Sequence, residues 1–294
     1  MRGSVLVAGE VTFGYTFPMD SHQSEVENGE RFEFGKNWKR FLSALNEQRI
    51  ATAERSLLDS LGMSTLAGKR FLDIGSGSGL FSLAARRLGA SVFSFDFDPV
   101  AVECARELKS RYFNDDANWK IERGSALDRS YIQSLGRYDI VYSWGVLHHT
   151  GKMWDALDNA NIPLSDGGLL YIAIYNDQGR ASRTWLEVKK AYNRLPGPLK
   201  ILVSGPALLR LWGPSMVRDA LHGRPFETWR QYGVNRGMSP LTDVTDWIGG
   251  YPFEVAKPEA IFEFYRSRGF TLTKLRTCAG GIGCNEFVFR RGES

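Results

Sequence analysis

The sequence predicts an α/β fold: a doubly wound, mostly parallel seven-stranded sheet with an antiparallel C-terminal strand, preceded by N-terminal helices and interrupted by a lid insertion. Three observations carry this reading. Short β-rich runs alternate with helical stretches from residue 70 to 176, the rhythm of a parallel sheet with helices on both faces. The rhythm breaks over 177–256 and resumes at 257. Two β-rich runs then close the chain around "CAGGIGCN", which predicts an antiparallel hairpin at the sheet edge.

Taken in order, "DSHQSEVENGE" at 20–30 reads as a flexible or late-ordering arm. Residues 36–62 read as one helix, with Trp38, Phe41, Leu42, Leu45, Ile50, Ala53, Leu57, Leu58 and Leu61 at three- and four-residue steps and Gly62 to stop it. Strands follow at 70–75, 91–98, 119–125, 138–145 and 167–176. Between them lie helices at 80–89, 99–113, the latter led by Pro99, and 153–164. The inserted region carries helices at 181–195 and 199–212, then irregular chain rich in Gly and Pro. A proline-led helix at 257–269 and strands at 270–277 and 286–291 complete the pattern. The domain reading is 1–64 as N-terminal arm and helix, 65–176 with 257–294 as a ligand-binding core, and 177–256 as an inserted cover.

Composition narrows the function classes. The 294 residues suffice for one substantial core, and 43% hydrophobic with 24% charged residues is an ordinary globular balance. A net charge of +4 is too small to argue for nucleic acid by itself. Three cysteines without a CxxC pair signal neither a disulfide framework nor a metal site, so no metal is expected. The run 199–212 is broken by Gly205, Pro206 and Arg210 and is too short to span a bilayer, although it could touch a membrane surface. With no apolar leader at the N-terminus, the chain reads as soluble and cytoplasmic.

The stretch "FLDIGSGSGL" (71–80) is the most informative. Glycines after a first strand let the backbone approach a ligand closely, because no Cβ intervenes. A phosphate-binding loop would need Lys-Ser/Thr after the glycines, and a dinucleotide loop would need G-x-G-x-x-G. Here the spacing is G-x-G-x-G with Asp73 ahead, a carboxylate better placed beside a cation than a pyrophosphate. Asp73-Ile74-Gly75-Ser76-Gly77-Ser78-Gly79 resembles motif I of the class I, Rossmann-like S-adenosylmethionine-dependent methyltransferases.

That resemblance implies the rest of a cofactor site. Gly75, Ser76, Gly77 and Gly79 would approach the amino-acid part of S-adenosyl-L-methionine, and Asp73 its ammonium. Asp96, 23 residues after Asp73, resembles the family's ribose-binding acid, with Phe97 against the adenine; Asp98 competes for that role, and either acid could instead cap the next helix. Ser125 stands where the family often has an adenine-binding Asp, so Ser125 and Ala126 are weaker matches. "YSWGVLHHTG" (142–151) resembles the segment after the fourth strand, with Trp144 near the cofactor and His149 at the common histidine.

For chemistry, His148 and His149 are the chain's only histidine pair, and either could serve as general base or be structural. Tyr175, Asn176 and Asp177 follow the fifth strand and offer polar groups to an acceptor, or simply form a turn. In the insertion, "RGMSPLTDVTDWIGGYPFEVAKP" (236–258) reads as an ordered loop lining the acceptor pocket through Arg236, Asp246, Trp247, Tyr251 and Phe253. Phe32, Phe34 and Trp38 could close over the cofactor as a lid. The expected function is methyl transfer to a hydroxyl of a small molecule such as a quinol, glycan or natural product; a macromolecule methyltransferase and a non-catalytic cofactor-binding protein are the alternatives. No nucleic-acid partner is expected.

Overall fold

The computed structural model describes residues 21–230 and 240–292, with the side chains of 240–243 outside that description. Seven strands form one sheet: β1 (Arg70–Ile74), β2 (Ser91–Asp96), β3 (Trp119–Arg123), β4 (Tyr138–Trp144), β5 (Leu164–Tyr175), β6 (Phe270–Arg276) and β7 (Cys284–Arg291). Their spatial order is β3-β2-β1-β4-β5-β7-β6. β1 to β5 run parallel, and β7 inserts antiparallel between β5 and β6. The order reverses between β1 and β4, so their carboxyl ends open the crevice in which doubly wound folds bind ligands.

Alternation along the central strands builds two cores. Phe71, Ile140, Tyr142 and Tyr171 face one side, with Leu57 of α3 (Glu47–Leu61), Leu83 of α4 (Leu80–Arg87) and Leu108 of α5 (Pro99–Tyr112). Leu72, Val141, Leu170 and Ile172 face the other. They pack with α6 (Arg129–Ser134), α7 (Met153–Ala160) and α11 (Pro258–Arg266). A third cluster joins α8 (Arg180–Arg194), α9 (Ile201–Leu221) and α10 (Pro240–Gly249) through Trp185, Ala207, Trp212, Val244 and Ile248.

Four local expectations need correction. The arm at 20–30 contains a short helix, α1 (Ser21–Glu27), whose His22 is buried against Asp98 and Phe97. The single helix expected over 36–62 is two, α2 (Gly35–Ser43) and α3. The break falls at 44–46, where the Asn46 side chain accepts Arg49 N–H and starts a new helix. The helix expected over 153–164 is α7, which ends at Ala160, and β5 begins at Leu164 rather than 167.

The inserted region is more helical than its composition suggests. α9 continues past 212 through Pro214 to Leu221, and α10 occupies the middle of what read as a loop. Pro206 and Pro214 delete the bonds that Leu202 and Arg210 carbonyls would accept, but both residues are exposed, so solvent can replace them. Val244 and Ile248, four apart on α10, are buried in the third cluster, and this packing overrides weak local propensity. Among the described residues no helix is long and apolar enough to cross a membrane.

Candidate active site

A cavity of about 1750 Å³ lies over the carboxyl ends of β1, β2, β4 and β5. The loop from Gly75 to Gly79 forms part of its floor, and all three glycines have positive φ, at 75°, 54° and 81°. Each also lies against a different partner. A Cβ at Gly75 would fall 2.3 Å from Val146, one at Gly77 3.0 Å from the Trp38 indole, and one at Gly79 3.0 Å from Ala105. The loop is therefore closed from above by α2 and from behind by the post-β4 turn and α5.

Asp96 fastens this loop to the end of β2. Its Oδ2 accepts Gly77 N–H and its Oδ1 accepts Asp98 N–H, both at 2.9 Å. Asp98 itself is the α5 cap: it accepts Val100 N–H at 2.8 Å and, on its other oxygen, Gly35 N–H at 2.8 Å. Both acids line the cavity: Asp96 anchors the glycine loop, whereas Asp98 caps α5 and joins it to α2.

Asp73 is buried, and Ser82 Oγ donates to its Oδ2 at 2.6 Å. Burial raises its carboxyl to about 7, the Ser82 bond opposing and Asp96 adding to the rise. Burial likewise raises Asp96 to about 6, against the backbone N–H of Gly77 and Asp98. Two cavity-wall carboxyls whose charge no cation offsets among the described residues fit a positively charged ligand.

The remaining cofactor-side candidates also line the cavity: Ser76, Phe97, Ser125, Ala126 and Trp144, the last 44% exposed. Ser125 Oγ accepts Leu127 N–H at 3.2 Å, holding the turn after β3. Phe97 is already engaged, with the Arg31 guanidinium 4.9 Å from its ring centre.

The two histidines differ sharply. His149 lines the cavity, beside Phe34 and Tyr175 at ring-centre distances of 5.0 and 5.3 Å. Its Nδ1 lies 2.6 Å from the Pro252 carbonyl, which can only accept, so Nδ1 carries the proton and Nε2 the lone pair. Burial lowers it to about 3, the Pro252 bond opposing and the charges of Lys189 and Arg31 adding. His148 is fully buried and does not line the cavity; its Nδ1 accepts Tyr175 N–H at 3.4 Å. Burial, reinforced by His149 and Lys189, holds it well below the ordinary imidazole range.

On the acceptor side, Tyr175, Asp246 and Trp247 line the cavity, and Asn37 Nδ2 donates to Asp246. Asn176, Asp177, Tyr251 and Phe253 do not line it. Asn176 ties β5 to the β6–β7 loop, donating to Gly281 O and accepting from Asn285. Asp177 closes a turn by accepting Gly179 N–H at 2.7 Å. Tyr251 accepts Phe32 N–H through its carbonyl, and Phe253 packs against Tyr175 and Trp247. Arg236 lies outside the described residues.

Two participants carry no sequence signature. Arg31, just past the stretch read as an arm, donates to His149 O at 3.1 Å while covering Phe97, and so bridges the two halves of the cavity. Lys189 is fully buried, donates to Trp247 O, and lies 4.5 Å from the Trp247 ring and 4.7 Å from Phe253. Burial lowers it to about 7, with Asp246 opposing. Both contacts bridge residues far apart in the chain, and the signal is tertiary.

A methyltransferase-domain family model matches residues 45–236, about two thirds of the chain. The chain belongs to the methyltransferase family. The ubiquinone biosynthesis O-methyltransferase of Caulobacter sp. is 29% identical over 208 residues, covering 68% of this chain and 74% of its own. The ribosomal protein L11 methyltransferase of Deinococcus radiodurans is 43% identical over only 54 residues, 18% of this chain and 20% of its own.

Solved structures of similar fold include PKMT2 from Rickettsia typhi in complex with AdoHcy (TM-score 0.52, 14% identity, 81% of this chain and 52% of that one). An O-methyltransferase family protein from Burkholderia thailandensis is another (TM-score 0.50, 13% identity, 83% and 57%). This methyltransferase therefore spans little more than half the length of either structural neighbour. Its cofactor is S-adenosylmethionine. The glycine loop, Asp96 and the uncompensated Asp73 fit that ligand, which carries an ammonium, a sulfonium and ribose hydroxyls but no phosphate.

Proposed function

We propose that this methyltransferase is a cytoplasmic enzyme that methylates a hydroxyl oxygen of a small-molecule acceptor, a phenol, quinol, glycan or natural-product scaffold, with His149 as the general base. The observation that carries the reading is the 2.6 Å contact of His149 Nδ1 with the Pro252 carbonyl. It fixes the tautomer whose Nε2 can take a proton, on a side chain of the cavity wall. The cavity exceeds the roughly 300–1,000 Å³ usual for one small ligand, which leaves room for an acceptor beside the cofactor. Tyr175, Trp247, Phe34 and Phe32 give the acceptor side a flat apolar wall, with Asp246 as its polar group. We assign the cover of that side to 177–256, and the cofactor contacts to Asp73, Gly75, Ser76, Gly77, Gly79, Asp96, Phe97, Ser125, Ala126 and Trp144. The O-methyltransferase name of the Caulobacter relative agrees in reaction type.

When bound, S-adenosylmethionine supplies an electrophilic methyl carbon. The protein aligns the hydroxyl, excludes water and removes one proton. A base with its pKa lowered to about 3 is neutral at working pH but weak. His149 therefore accepts the hydroxyl proton late, once the new C–O bond has made that oxygen acidic. His148, behind it, positions the Tyr175 backbone instead.

The test is single-turnover methyl transfer by His149→Ala and His148→Ala, alongside cofactor affinity. His149→Ala should slow transfer by about 100-fold, the lower end for general-base catalysis, with affinity for S-adenosylmethionine nearly unchanged. Transfer within twofold of wild type would remove His149 from the chemistry.

A further inference from the structure

The molecule carries a second surface feature that the active site does not explain. α9 has two functional faces. Leu211 and Trp212 reach the cavity wall. The opposite side shows solvent a row of large apolar side chains: Leu202 (66% exposed), Leu209 (69%), Val217 (61%) and Leu221 (82%). Pro206, Gly213 and Ala220 fall between them at three- and four-residue steps, so the row is continuous along the helix. An apolar stripe of this length, exposed among the described residues, marks an interaction site.

Charge selects the partner. The exposed charged side chains of α9 are Arg210 and Arg218, both cationic; Arg218 also donates to Thr228 Oγ1 at 3.2 Å and lies 4.0 Å from Asp219. The helix's acid, Asp219, is buried and accepts Thr228 N–H and Oγ1–H at 2.7 Å each. A second copy of the chain docked through the same face would bring Arg210 against like charge. An anionic lipid surface would instead meet the stripe with acyl chains and the arginines with headgroups. The prolines agree: they free the Leu202 and Arg210 carbonyls on the exposed side, which a wet interface satisfies and a bilayer core does not.

We propose that α9 lies flat on an anionic phospholipid surface, bringing the cavity to the edge of the bilayer. The docking stands apart from the acceptor reading. Its consequence, that the hydroxyl acceptor is an amphiphile held in the membrane, rests on that reading.

The test is flotation of the full chain with vesicles of phosphatidylcholine alone or with about 30 mol% phosphatidylglycerol, a surface negative enough to attract basic segments. Wild type should float with the anionic vesicles, and salt should release it. Leu202→Gln/Leu209→Gln/Val217→Gln should lose at least about tenfold in vesicle affinity. Arg210→Gln/Arg218→Gln should erase the preference for phosphatidylglycerol. None of these side chains lines the cavity, so thermal melting and S-adenosylmethionine affinity should stay at wild-type values. Three results would overturn the proposal: wild type stays with the soluble fraction, the triple-glutamine variant floats as well as wild type, or sedimentation finds a dimer that this variant dissolves. Flotation needs no turnover, so loss of methyl transfer would count against the active-site reading and leave this one standing.

Discussion

Replacing Asp96 by alanine separates a cofactor ligand from a structural staple. The side chain holds two backbone N–H groups, of Gly77 and Asp98, each at 2.9 Å. Hydrogen bonds to a charged group are worth about 1.5–3 kcal/mol each, but water from the cavity can replace part of this at a half-buried carboxylate. We therefore expect unfolding stability to fall by about 1–3 kcal/mol. Cofactor affinity should fall as well, because the Gly77 backbone loses its anchor and the cavity loses a carboxylate. The same energy range corresponds to roughly 5- to 150-fold weaker binding of S-adenosylmethionine. Titration calorimetry at pH 7.5, where a group with a pKa of about 6 is ionised, reads the affinity, and thermal denaturation of the same samples reads the stability. A lower melting temperature with unchanged affinity would show that Asp96 fastens the loop and nothing more, and the ribose assignment would fail.

Three further predictions follow from the same geometry. Asp73, raised to about 7, is about half protonated at neutral pH, and Asp96 about one tenth; an ammonium ligand favours both carboxylates. Calorimetry in buffers of different ionisation enthalpy should therefore find roughly half a proton released per cofactor bound at pH 7, with affinity rising from pH 6 to 8. Zero proton release would place the cofactor's charge away from Asp73. Gly77→Ala puts a methyl group 3.0 Å from the Trp38 indole at a φ of 54°; it should cost about 1–2 kcal/mol of stability and weaken cofactor binding, read by melting and calorimetry. His148 is held well below its unfolded pKa of 6.5, so the unfolded chain takes up its proton first and stability falls as pH drops below 6.5. His148→Phe removes that proton, and denaturant titrations should show stability falling less steeply, by about 1.4 kcal/mol per pH unit.

The sheet and the glycine loop on the cavity floor were legible because their signals are local. Asp73 and the three glycines fall within the seven residues 73–79, and the strand-to-helix rhythm of 70–176 needs no distant partner. Spacing favoured Asp96 over Asp98, but the backbone groups each acid holds, Gly77 N–H and Gly35 N–H, are tertiary and were not readable. The acceptor side was harder. α10 is held by packing of Val244 and Ile248 into α8 and α9, an effect that local periodicity does not encode. Arg31 reaches a residue 118 positions away, and Asn37 meets Asp246 across 209. Neighbours in sequence also diverge: His148 and His149 are adjacent, yet the turn of Leu147–His149 sends one into the core and the other to the cavity wall.

The most direct measurement is the fate of a labelled methyl group. The full chain would be incubated with methyl-labelled S-adenosylmethionine and a cell extract divided into small-molecule, lipid, RNA and protein fractions. The label should appear in a small or lipid-soluble product whose mass spectrum shows an O-methyl group, and His149→Ala should suppress it. Label confined to RNA or protein, or an N- or C-methyl product, would contradict the account.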